Sequence, residues 1–99
     1  MTIAVEWRGM KDGLLVFGVT MDAHSGSLDQ YDLRDLAIIR DSSGKEYRPS
    51  NWDAPPGGHH RKGTLPFPVN SLNLKTAKYI VLIIRDTAGV KERDFKWQL

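Results

Sequence analysis

Alternation with a period of two runs through most of this chain, and a helical period of 3.6 is scarce. Thr2–Arg8 puts Ile3, Val5 and Trp7 on one face and Ala4 and Glu6 on the other. The Asp12-Gly13 turn signal follows, and Leu14–Met21 continues with Leu15, Phe17 and Val19 against Leu14, Val16 and Thr20. Asp22–Asp32 is a long polar connection interrupted by Leu28 and Tyr31. Asp32 is placed to cap a helical turn over Tyr31–Asp35, which feeds a strand at Leu36–Asp41. Lys45–Arg48 pairs back across the Asp41–Gly44 turn, and Pro49 ends it. Residues 50–63, with Pro55, Pro56, Gly57 and Gly58, read as an irregular loop. Thr64–Pro68 holds two prolines and fits only an edge strand. Ala77–Arg85, apolar on both faces, is the central strand, and Val90–Leu99 returns with Phe95, Trp97 and Leu99 inward.

About seven short strands, with a turn signal every ten residues or so, predict an all-β, immunoglobulin-like two-sheet sandwich with at most one short helical turn. A small barrel is the alternative. Strand content above about 35% is expected, with any helix near Leu28–Leu36. Phe17, Val19, Leu82, Ile84, Phe95 and Trp97 should be buried, and Trp97→Ala should cost roughly 3–5 kcal/mol. Tyr79 is placed for the corner hydrogen bond common in such sandwiches. Ninety-nine residues with 40% hydrophobic and 26% charged side chains suit one domain, 1–99, with a modest core.

Composition removes several classes of chemistry. The chain has no cysteine, which excludes disulfides, thiolate zinc and iron–sulfur sites and cysteine nucleophiles. Its apolar runs are far shorter than the ~20 residues of a membrane-spanning helix. A net charge of +2 is too small to argue for nucleic acid. The charge is unevenly spread: Asp22, Asp29, Asp32, Asp35 and Asp41 outnumber Arg34 and Arg40 early on, whereas basic groups dominate after residue 42. The start at Met1 has no signal-peptide pattern, so the chain is expected to be cytoplasmic as written, or extracytoplasmic if excised from a longer exported protein. A monomer is expected, with a protein partner or a parent chain as its binding context.

Several segments carry a resemblance: Phe17 to Ser25, Leu28-Asp29-Gln30-Tyr31-Asp32-Leu33, Trp52 through Gly57-Gly58-His59-His60-Arg61-Lys62-Gly63 to Pro68, and Arg85-Asp86 with Glu92–Trp97. Together they are similar to an uncharacterised prokaryotic immunoglobulin-like β-sandwich module, sometimes found at the C-terminal end of longer exported or anchored proteins. The resemblance implies the fold and draws attention to the histidines; it implies no activity.

All three histidines fall in those segments. His24, His59 and His60 with Asp22 form a candidate set for Zn²⁺ or Cu²⁺, or for the two-histidine-one-carboxylate pattern of Fe²⁺. Asp22 would serve as ligand or as the acceptor that orients His24. Convergence of the adjacent His59 and His60 needs irregular backbone, which Gly57-Gly58 permits. The competing reading has the imidazoles pinning loops, and a third has them titrating on a pH-sensitive surface. Ser25 beside His24 lacks the context of a nucleophile, and Asp29 and Asp32 suit turn capping better than acid–base chemistry. Trp52 is a loop-packing anchor or an aromatic platform for carbohydrate or peptide, with Arg61 a further candidate for ligand surface. The function expected is that of a non-enzymatic binding or accessory module, with a metal-binding domain as the alternative and an enzyme third.

Overall fold

The structure, a computed structural model, describes residues 1–24, 26–69 and 76–99. Ser25 lies outside the described residues. The elements in chain order are β1 (Thr2–Lys11), β2 (Leu14–Asp22), α1 (Leu33–Leu36), β3 (Ala37–Asp41), β4 (Glu46–Tyr47), β5 (His60–Pro68), β6 (Tyr79–Thr87) and β7 (Val90–Gln98). They form two antiparallel sheets, one ordered β1-β2-β5 and the other β4-β3-β6-β7. Strands take up 58% of the described residues and helix 4%. The result is a two-sheet β-sandwich.

The alternation read from the sequence explains which side of each sheet is dry. Leu15, Phe17, Val19 and Met21 of β2 meet Leu65 and Phe67 of β5 on one inner face. Ala37 and Ile39 of β3 and Ile80, Leu82 and Ile84 of β6 form the other. Phe17 sits at the centre: its ring meets Trp7 edge-on at 5.5 Å, Phe67 edge-on at 5.7 Å and Trp97 at 5.0 Å. Edge-to-face contacts of this kind add roughly 0.5–1.5 kcal/mol each beyond the area they bury.

The connection after β2 drops Leu28 and Leu33 into the same core. Asp32 caps α1, its Oδ1 accepting from the Arg34 amide at 2.9 Å. One turn of helix is all that forms before β3, and the boundaries lie within two residues of those expected.

Three expectations are corrected. The 50–63 segment is not a loop throughout, because β5 begins at His60 and extends the two-residue period through Lys62 and Gly63. Phe95 and Trp97 do point inward but are only half-buried, since β7 is a margin strand whose flank is open, and Leu99 is 47% exposed. Tyr79 stacks under the Lys96 ammonium, 4.2 Å from its ring centroid, while it is the Tyr31 hydroxyl that accepts a backbone bond, from Ala88 N at 3.0 Å.

The β3–β4 turn closes on a buried carboxylate. Asp41 Oδ1 accepts from the Ser43 amide and from the Lys45 amide, each at 3.0 Å, and from Ser43 Oγ at 2.6 Å. Oδ2 accepts from the Tyr47 hydroxyl at 3.1 Å. Burial pushes the Asp41 carboxyl up, but the bonds from Ser43, Lys45 and Tyr47 outweigh it and hold the group below the usual aspartate range.

Two outcomes are expected. An unfolded aspartate titrates near pH ~3.9, so the stability Asp41 contributes is complete above that value and is lost as pH falls through its lower folded value. Asp41→Asn should therefore flatten the acid limb of a stability–pH curve; an unchanged limb contradicts it. For the core, Phe17→Ala should cost about 3–5 kcal/mol in urea titration, and half-buried Trp97→Ala about half as much. Equal losses would show that the flank of β7 is closed.

Candidate functional site

Two long connections, 23–32 and 48–59, meet at one end of the sandwich, and an inward-pointing cation ties them. Arg61 stands opposite Met21 in the β2–β5 register, on the core face that continues with Leu65 and Phe67. It is 8% exposed. Its guanidinium donates to the carbonyl oxygens of Leu28 at 3.2 Å and Tyr31 at 2.9 Å in the first connection. It donates to those of Ala54 at 2.8 Å and Pro55 at 3.3 Å in the second. The half-buried Trp52 ring lies 5.8 Å from its Cζ. A planar fork of donors can reach four carbonyls from one point; an ammonium cannot.

Backbone bonds reinforce the clamp. Ala23 N donates to His59 O and Leu28 N to Gly58 O, both at 2.8 Å, and Gly57 N donates to Asp29 Oδ1 at 3.1 Å. Thr64 N donates to Asp53 Oδ1 at 2.5 Å. Two glycines make the approach possible. Gly58 takes φ +62° in the turn into β5, and a Cβ on Gly63 would sit 2.7 Å from Ala54 N, so only glycine lets the second connection lie on the strand.

Of the four candidate ligands, the structure brings Asp22 and His60 together. They are directly opposite each other at the ends of β2 and β5, and His60 Nδ1 is hydrogen-bonded to Asp22 Oδ1. Both side chains are more than half exposed. His59 lies in the turn before β5, where its backbone carbonyl accepts from Ala23 N. His24 lines an open depression. Among the described residues no group of three or more histidine, aspartate or glutamate side chains is arranged to hold a metal ion. Gly57-Gly58 serve the turn; since β5 begins at His60, they do not aim two imidazoles at one point.

Trp52 packs against the core cluster as a loop anchor, and its buried indole N–H meets no acceptor among the described residues. Arg61, a candidate for ligand surface, is inside, with four of its five N–H donors taken up by the loops.

Comparison of the chain with protein families, with curated proteins and with solved structures yields no match.

On the outside of the clamped end lies a connected depression. One part, of 320 Å³, is lined by Met1, Ala23, His24, Gln30, Tyr31 and Ala88 among others. A second, of 260 Å³, continues it and shares Met1, Ala23 and His24, reaching Asp22. The Tyr31 hydroxyl, bonded to Ala88 N, fixes the β6–β7 turn as one wall. The residue missed by sequence reading is Arg61 in its clamping role. Its signal was present: counting back by two from Phe67 and Leu65 passes through Gly63 to place Arg61 inward.

Arg61→Ala would leave the carbonyls it serves without a donor, at roughly 1–3 kcal/mol for each that stays dry. It should destabilise the domain by about 3 kcal/mol or more in denaturant titration, and Arg61→Lys should recover little of this. Full recovery by lysine would show that charge, not the fork, matters.

Proposed function

We propose that the domain is a non-enzymatic binding or accessory module of immunoglobulin-like topology, with the clamped loop end as its ligand-facing surface. The strand order supports the topology. Strands β1, β2 and β5 correspond to A, B and E of an immunoglobulin sandwich, β3, β6 and β7 to C, F and G, and β4 is an added strand beside C. In such sandwiches the connecting loops gather at the two ends and carry recognition.

The observation that carries the reading is the fourfold engagement of Arg61 with both loops. Loops held before a ligand arrives lose little conformational freedom on binding, and that saving appears as affinity. The depression they frame mixes a thioether, an imidazole, a phenol ring and an amide, from Met1, His24, Tyr31 and Gln30. This lining suits a short polar peptide segment with one apolar or aromatic side chain. Against catalysis stands the setting of the Asp22–His60 pair. Asp22 and His60 sit on open sheet surface, whereas acid–base pairs gain their strength in dry, enclosed sites.

A two-dimensional amide NMR titration tests the reading, using short peptides with one aromatic residue, mono- and disaccharides and nucleotides at about millimolar concentration. Peptides should shift the amides of Ala23, His24, Tyr31 and Ala88 together, and His24→Ala should weaken the response. Shifts confined to the outer sheet faces, or none with any probe, would overturn it.

A further inference from the structure

Every strand at the margin of a sheet exposes a row of unpaired backbone groups, and folded proteins blunt such margins. The two sheets have four margins: β1, β5, β4 and β7. Strand β4 is two residues long. Strand β5 carries Pro66 and Pro68 and lies under the second connection, with Ser50 N donating to Pro66 O at 2.9 Å. Strand β1 is broken by a register shift between Trp7 and Gly9. Strand β7 has none of these devices. It is nine residues long, pairs with β6 at a constant register at every residue but Lys91, and among the described residues no strand pairs with its outer side.

What β7 does carry is alternating charge: Lys91, Glu92, Arg93, Asp94 and Lys96. Charge on a margin strand repels most partners, but this pattern has one partner it fits. Consider two β7 strands antiparallel about a two-fold axis normal to the sheet, so that residues of the same face stand opposite each other. With the axis at Glu92, Arg93, Asp94 or Lys96, that residue faces its own copy and like charges meet. With the axis at Phe95, Asp94 faces Lys96 twice, Glu92 faces Gln98 twice and Arg93 faces Trp97 twice. No like charges are then directly opposed, and all of residues 91–99 overlap. Phe95, inward yet half-exposed, would be covered by its own counterpart, and Trp97 by Arg93 of the other copy.

We propose that β7 is a self-association edge: two copies of this chain pair antiparallel through β7 with Phe95 on the two-fold axis, joining their four-stranded sheets into one. This departs from the monomer expected of the sequence and is independent of the loop-end reading. Opposite charges across a strand pair favour the register and like charges oppose it. The interface is narrow, which places it with weak, transient contacts, so a dimer is expected at tens to hundreds of micromolar, in order of magnitude.

Sedimentation equilibrium of the whole chain, from about 10 µM to about 1 mM, tests this. The wild type should show a monomer–dimer equilibrium. Asp94→Lys alone and Lys96→Asp alone should each be monomeric, because each sets like charges opposite one another. Mixed one to one they should dimerise, because each copy then supplies what the other lacks. Both positions are exposed, and circular dichroism of each variant checks that the fold is kept. A wild type that stays monomeric throughout, single variants that dimerise as the wild type does, or a mixture that fails to dimerise would each overturn the proposal.

Discussion

A guanidinium inside a protein is tolerated only where its donors are taken up, and the loop end of this sandwich is arranged around that requirement. Arg61 leaves β5 on the core side and finds no salt-bridging carboxylate among the described residues. It meets backbone carbonyls from two chain segments that are otherwise irregular. Those carbonyls need donors as much as the arginine needs acceptors, since a loop drawn toward a core must satisfy its backbone. The two requirements answer each other. From that closure follow the glycine at position 63, where the second connection touches the strand, and the seating of Leu28 in the core. The fixed position of Tyr31, whose hydroxyl then holds the β6–β7 turn, follows as well.

The sheets themselves depend on a simpler constraint. A two-residue period with large apolar groups on one side leaves little freedom in register, because a slip by one would turn Phe17, Leu65 and Leu82 outward. The same register explains the Asp22–His60 pair. The two residues stand opposite each other at the ends of neighbouring strands, so their bond follows from the pairing that buries Met21 and Leu65 one and five positions away.

Sequence alone was a good guide where one rule governed a stretch. The strands of residues 2–22 and 79–98, the single helical turn after Asp32 and the marginal place of the proline-bearing strand were all legible from alternation, capping and proline chemistry. It was a poor guide at residues 50–63, where turn-forming glycines and prolines mask a strand that starts at His60. Two tertiary facts lay beyond it. Burial along β7 depends on what flanks that strand, so Phe95 and Trp97 were placed on the correct face and credited with too much cover. The histidines were noticed for their type, yet what their neighbourhood contains depends on strand pairing, which sets His60 beside Asp22 and leaves His24 in an open depression. The arginine between them in importance looked like an ordinary surface cation, because polar residues at the inner end of a strand break the very pattern used to find the inside.

The central claim is that one buried guanidinium holds both loops in place in the free protein. Amide hydrogen exchange on the wild type and on Arg61→Lys measures this directly, residue by residue. If the clamp works as described, the Ala23, Leu28 and Gly57 amides exchange much faster in the variant, and Ile39 and Leu82 in the central strands keep most of their protection. Loop amides that stay as protected as in the wild type, or protection that falls evenly across loops and strands alike, would contradict it.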